Sequence, residues 1–205
     1  MDASFVVLVP VKSPAVGKSR LAGAGEELRQ ALAVAFARDT LAAAVATPAV
    51  VAVLAVTDST ELVGHAAADG FLVHPDPGGL NAALRAAARS AAARWPDATP
   101  VALCADLPAL APRDLSEALD AAPEGAPAFV ADAQGVGTTT YVAPYDAFAP
   151  QFGEASRAAH LAAGAVEITG DLRGLRLDVD DPGDLERALD VGVGPHTARV
   201  LDIRA

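Results

Sequence analysis

The chain has 205 residues, a formal net charge of −11, 52% hydrophobic residues and only 4% aromatic ones. That content suits one large domain with a core of Ala, Val and Leu, and the acidic balance argues against nucleic acid as a partner. Cys104 is the single cysteine and apolar runs stop short of the ~20 residues that cross a membrane, so no disulfide framework, cysteine-based zinc site or membrane span is expected. A small anionic substrate stays compatible with the acidic balance, because a basic loop or a bound metal reverses the field within one cleft. The N-terminus shows no secretory signal and enters a strand at once, which points to the cytoplasm.

Phe5-Val6-Val7-Leu8-Val9 is an apolar, β-branched run that reads as a buried strand of a parallel sheet. Pro10 ends it, and Pro14 and Gly17 mark the irregular loop that follows. That loop holds Lys12 and Lys18, the only lysines of the chain, with Arg20 close behind. Both ammonium groups gathered just past the first strand of an acidic protein predict an anion site, at the strand end where open α/β sheets hold ligands.

Glu26 to Ala46 reads as a long helix, with Leu28, Leu32, Ala35 and Phe36 as one buried stripe and Val34, Leu41 and Val45 as a second. Asp39 interrupts the first stripe and predicts that this face meets solvent there. Val50 to Thr57 is the next buried strand, followed by a short helix over Ser59 to Ala68 and a short strand, Phe71 to Val73. An irregular loop from His74 to Asn81 opens a helix from Asn81 to Arg94. Pro100 to Ala105 is a strand that delivers Asp106, and Pro112 to Ala121 is a helix with proline in its favoured first-turn place.

Ala128 to Ala131 reads as a strand, and Gly135 to Thr140 as a Gly/Thr loop leading into Tyr141-Val142. Phe152 to Ala163 is expected to be a helix and Val166 to Thr169 a strand. Gly174 to Asp180 alternates and is read as a strand, after which Asp181 caps a last helix that starts at Pro182. The tail from Gly194 fits either an added strand or a mobile end. Strands alternating with helices, most strands apolar on both faces, imply a mostly parallel α/β sheet covered on both sides in a single domain. Its functional loops then share one rim.

Asp106 ends a buried strand and projects from that rim. Asp178 and Asp180 are two residues apart in an extended segment and share one face. Such a trio repels unless a hard cation lies between its members, and Mg²⁺ is the natural one beside phosphates. Gly137 to Thr140 and Gly153 to Ser156 add hydroxyls and backbone N–H groups. Ser156 falls in the opening turn of a helix, a ready anion site, and shares a face with His160. Gly17-Lys18-Ser19 looks like the end of a Walker loop, but position 12 is Lys12 rather than glycine, so that match fails. No dinucleotide fingerprint follows the first strand either.

Together the VPVK opening with GKSRL, DPGGLN at 76–81, CADLP at 104–108, GTTTY at 137–141, FGEASRAAH at 152–160 and LDVDDP at 177–182 resemble the CofC/FbiD guanylyltransferases. The resemblance spans nearly the whole chain. It implies a three-layer Rossmann-like nucleotidyltransferase of GT-A type that moves GMP from GTP onto phosphoenolpyruvate or 2-phospho-L-lactate, in biosynthesis of the deazaflavin coenzyme F-420. It places Thr138, Gly153 and Ser156 on the acceptor, and Asp106, Asp178 and Asp180 on Mg²⁺. Lys12, Lys18 and Arg20 fall to the triphosphate, Lys18 and Arg20 with Asp106 in catalytic roles, and Gly79 and Asn81 to the base. Glu154-Ala155 departs from the Pro-Gly of many members, and a carboxylate there weakens acceptor binding unless it points away. A homodimer is compatible with this resemblance.

Overall fold

The computed structural model describes residues 3–11 and 25–202, so Lys12, Lys18 and Arg20 lie outside the described residues. Within them, β1 (Phe5–Pro10), α1 (Glu26–Val45), β2 (Val50–Val56), α2 (Thr60–Asp69), β3 (Leu72–His74), α3 (Leu80–Arg94), β4 (Thr99–Leu103) and α4 (Pro112–Asp120) alternate as the sequence predicts. β5 (Ala128–Ala131), β6 (Thr138–Val142), α5 (Ser156–Ala162), β7 (Val166–Glu167), α6 (Arg173–Arg176), α7 (Pro182–Val191) and α8 (Pro195–Val200) complete the order. The strands form one sheet ordered β3-β2-β1-β4-β6-β5-β7. β6 runs antiparallel to both its neighbours, β4 and β5, while the other pairings are parallel.

Alternate residues of β1 enter opposite cores, which is why the strand is apolar throughout. Val7 and Val9 pack with Leu41 of α1 and Leu115 of α4, whereas Val6 and Leu8 pack with Leu84 and Ala87 of α3. These are the two faces of a three-layer α/β/α arrangement. A third cluster joins Leu32 and Phe36 of α1 to Leu177, Val179 and Ala188, and so closes one end of the molecule. Chain direction reverses its sense of travel across the sheet between β1 and β4, the switch point at which α/β folds open a crevice.

Five local readings change, the last of them at Asp39. The segment read as a strand from Gly174 to Asp180 is a helical turn, α6, followed by a run that joins no strand of the sheet. Its alternation is real but is one of burial: Leu175, Leu177 and Val179 are buried while Asp178 and Asp180 are not. Gly174 enforces the close packing behind it, since a Cβ there would sit 2.2 Å from the Ala109 carbonyl oxygen. Next, Thr138 to Thr140 belong to β6 rather than to a loop, as their β-branched side chains favour. The helix expected from Phe152 starts only at Ser156, because Gly153 (φ 143°) and Ala155 (φ 52°) lie in the left-handed region. In addition, Leu28 and Val45, assigned to buried stripes, are 39% and 38% exposed, since the ends of α1 overhang the core.

Asp39 is the clearest reversal. It is buried, and its carboxylate accepts from the backbone N–H groups of His196 (2.9 Å) and Thr197 (2.8 Å), in the first turn of α8. The tail is therefore a docked helix, and Asp39 interrupts the apolar stripe of α1 to cap it. Gly194 permits the approach, because a Cβ there would lie 2.4 Å from the Asp39 carboxylate. Asp39→Ala should cost about 2–3 kcal/mol by leaving the N–H groups of His196 and buried Thr197 unpaired. Chemical denaturation followed by circular dichroism measures this, and an unchanged midpoint would refute the docking role.

Candidate functional site

β4 ends at Leu103 and releases Cys104, Ala105 and Asp106 at the crevice. The turn is pinned by Thr40 of α1, which is fully buried: its hydroxyl lies 3.3 Å from the Ala105 carbonyl oxygen and accepts from the Leu107 N–H at 3.1 Å. Asp106 thus projects from a backbone held on both sides. Its own carbonyl accepts the Val179 N–H at 3.0 Å, which lays the run after α6 across the end of β4. Further along, Asp184 of α7 accepts from the Asp180 and Asp181 N–H groups at 3.0 Å each, and Asp181 accepts from the Asp184 N–H in return. This reciprocal capping box fixes where Asp178 and Asp180 stand.

The consequence is electrostatic. Burial, then the carboxylates of Asp106, Asp180 and Asp132, push Asp178 up to about 7 from its usual acidic value. The trio expected from the sequence is therefore brought together, although Asp178 and Asp180 arrive on a crossing segment rather than a sheet strand. Asp132 is a fourth carboxylate that sequence reasoning missed. It accepts from the Val136 and Gly137 N–H groups at 2.9 and 2.7 Å and closes the β5–β6 turn. No group of three or more His, Cys, Asp or Glu side chains among the described residues forms a ready metal cage. The hard oxygen donors of Asp106 and Asp178 fit a Mg²⁺ that completes its shell with phosphate oxygens and water.

Because β6 is antiparallel, its first residue, Thr138, starts on the rim where β4 ends. The Cys104 N–H donates to the Thr139 carbonyl at 2.8 Å and ties the two strands together there. The register against β5 shifts: Val130 pairs with Thr140 but Ala131 with Thr138, so β6 carries one residue more. This bulge turns Thr138 onto the face of Tyr141, where its hydroxyl meets Nδ1 of His160 at 3.0 Å. The hydroxyls of Thr139 and Thr140 are buried without a partner among the described residues.

His160 is fully buried in α5, stacked on Tyr141 (4.8 Å between centroids) and Phe129 (5.4 Å), with Phe152 edge-on (5.8 Å). Burial pushes its imidazole down to about 4, so the ring is neutral at physiological pH. Its Nε2 accepts from the Gln151 N–H at 2.9 Å. Next to Gln151, the backbone of Phe152 is held by Asn81, whose amide group donates to its carbonyl and accepts from its N–H, both at 2.9 Å. Asn81, expected at the base, thus has its side chain engaged with the segment that leads into Gly153. Gly79 (φ 77°) precedes it as the N-cap of α3, with no side-chain cap. Ser156 is buried at the start of α5, and Glu154 is exposed.

Contacts therefore run along the rim from Gly79 and Asn81, through Phe152 and Gly153, to His160, Thr138, Cys104, Asp106 and Asp178. The sequence profile described as guanylyl transferase CofC like matches residues 5–202. The chain belongs to this family. Membership makes it a nucleotidyltransferase. It is 49% identical to a relative from Thermomonospora curvata named phosphoenolpyruvate guanylyltransferase, over 96% of this chain and 88% of that protein. A protein of the same name from Streptomyces coelicolor is also 49% identical, over 96% of this chain and 95% of the relative. Among solved structures, 4-diphosphocytidyl-2C-methyl-D-erythritol synthase superposes with a TM-score of 0.60 at 18% identity, covering 93% of this chain and 99% of that one. A nucleotidyl transferase from Methanothermobacter gives 0.60 at 18%, covering 91% and 96%. These two establish the shared fold.

The raised Asp178 carboxyl fixes a sign. A carboxyl whose folded pKa exceeds its unfolded one opposes folding once it must ionise, so this cost grows from about pH 4 and is complete above pH 7. Asp178→Asn should therefore stabilise the cation-free protein at pH 8 by on the order of 1 kcal/mol, with little effect at pH 5. Paired thermal melts in chelator test this, and a variant less stable at pH 8 would refute it. For His160 the sign is opposite. The unfolded ring takes a proton below about pH 6.5 and the folded one only near 4, so its stabilisation is lost as pH falls between them. The stability advantage of the unaltered protein over His160→Gln should shrink across that window.

Proposed function

We propose that this chain transfers GMP from GTP to phosphoenolpyruvate with release of pyrophosphate, in the cytoplasm, as a step of coenzyme F-420 biosynthesis. The observation that carries the reading is the meeting on one rim of the Asp106–Asp178 carboxylates with Thr138 and the Gly153–Ser156 segment. Family membership supports guanylyl transfer, and the names of the 49%-identical relatives favour phosphoenolpyruvate over 2-phospho-L-lactate as acceptor.

A phosphate oxygen of the acceptor attacks the α-phosphorus of GTP. A new P–O bond forms as the bond to the β-phosphate oxygen breaks, and pyrophosphate leaves. The attacking phosphate is already ionised near neutral pH, so no general base is needed, which agrees with a buried, neutral His160. The task of the protein is to hold two anions in line and offset their charge. Thr138, Gly153 and Ser156 orient the acceptor, and Gly79 with Asn81 shapes the loop that receives the base. Lys12, Lys18 and Arg20 are assigned to the triphosphate, the last two to the leaving pyrophosphate. Asp106 and Asp178, with Asp180 beside them, would hold Mg²⁺, which supplies Lewis-acid polarisation and charge neutralisation when bound.

Incubation with GTP, Mg²⁺ and both acceptors, followed by mass spectrometry, should give the guanylylated phosphoenolpyruvate product and pyrophosphate. Release of no pyrophosphate with either acceptor would indicate a binding module instead. Asp106→Asn should lower turnover at least about a hundredfold at millimolar Mg²⁺, and a near-normal rate would remove it from the site. Ser156→Ala should raise the acceptor KM more than the GTP KM, and equal effects would contradict its assignment.

A further inference from the structure

We infer that His160 is a positioning residue for the acceptor site, whose fixed tautomer turns the Thr138 hydroxyl into a hydrogen-bond donor for the acceptor anion. This rests on the reading above that Thr138 binds that anion. The tautomer follows from one constraint. A backbone N–H can only donate, and that of Gln151 points at Nε2 from 2.9 Å, so Nε2 carries a lone pair. A neutral imidazole has a single N–H, which is then on Nδ1. Thr138 Oγ1, 3.0 Å from Nδ1, faces that N–H, which the ring shares with the backbone of Ser156, so the hydroxyl cannot donate to it and stands as an acceptor. The opposite tautomer would set an Nε2–H against the Gln151 N–H.

A threonine hydroxyl that accepts from the ring must direct its own hydrogen elsewhere. The bond to His160 is the one that the Thr138 side chain makes among the described residues. Thr138 is 5% exposed at the rim, so a phosphate or carboxylate oxygen arriving there meets a donor already aimed. The ring cannot turn away, because Phe129, Tyr141 and Phe152 enclose it. Its depressed basicity keeps this state through the neutral range. The same ring holds Gln151, two residues before Gly153, so both sides of the acceptor site depend on it. Asn81 fixes Phe152 between them from the nucleotide side.

Two substitutions separate this role from packing. His160→Gln can offer its carbonyl oxygen near the Nε2 position and so keep the Gln151 contact, but it loses the donor at Nδ1. His160→Asn can offer an N–H near Nδ1 and so keeps the donor to Thr138. We expect His160→Gln to raise the KM for phosphoenolpyruvate about tenfold with the GTP KM within about twofold, and His160→Asn to stay within about threefold for both. On a Thr138→Val background, His160→Gln should add nothing further. An unchanged acceptor KM in His160→Gln, or effects that multiply with Thr138→Val, would overturn the inference. Nitrogen-15 NMR of the unaltered protein reads the ring directly at pH 7, and a proton on Nε2 would overturn it whether or not the variants fold. If the unaltered chain forms no product, the functional reading fails while the NMR result still decides the orientation of the hydroxyl.

Discussion

The hydrogen bond from the Val179 N–H to the Asp106 carbonyl clips a crossing segment over the end of β4, and the site is arranged around that clip. It forces Asp178 into the company of Asp106 in a half-buried place where neither burial nor neighbours welcome a negative charge. Such an arrangement works against folding. It persists because the segment is anchored on both flanks, by Leu177 and Val179 in the third apolar cluster and by the capping box of α7. Core packing and a helix cap thus offset a local electrostatic cost.

The second organising feature is the direction of β6. A parallel strand in this position would begin on the far side of the sheet. Reversal puts Thr138 beside Cys104, and the extra residue against β5 then selects which face its side chain takes. One inserted residue thereby decides whether the hydroxyl meets His160 or the opposite core. Three of the nine aromatic residues of the chain, Phe129, Tyr141 and Phe152, surround the imidazole.

Much of this was legible in the sequence, for identifiable reasons. Strands buried on both faces leave unbroken apolar runs, so β1, β2 and β4 could be read with the correct order of helices between them. Asp106 announces itself as a charge at the end of such a run, and the i, i+2 spacing of Asp178 and Asp180 survives in an extended segment of any kind. Hydrophobic alternation, however, reports burial and not hydrogen bonding, so Leu175, Leu177 and Val179 mimicked a strand that does not exist. Asp39 and Thr40 carry a further lesson. A polar residue on an apolar helical stripe looks like a route to solvent, yet these two are buried because distant backbone needs partners: the α8 N–H groups for Asp39 and the turn around Asp106 for Thr40. His160 was equally opaque, since the partners that define it, Thr138 and Gln151, are set by the bulge and by a loop.

The sheet ends in very short strands, three residues in β3 and two in β7. So little backbone offers almost no purchase to a strand from another molecule, a safeguard against edge-to-edge aggregation. Pairing of two copies through the edges of the described sheet is disfavoured on this ground.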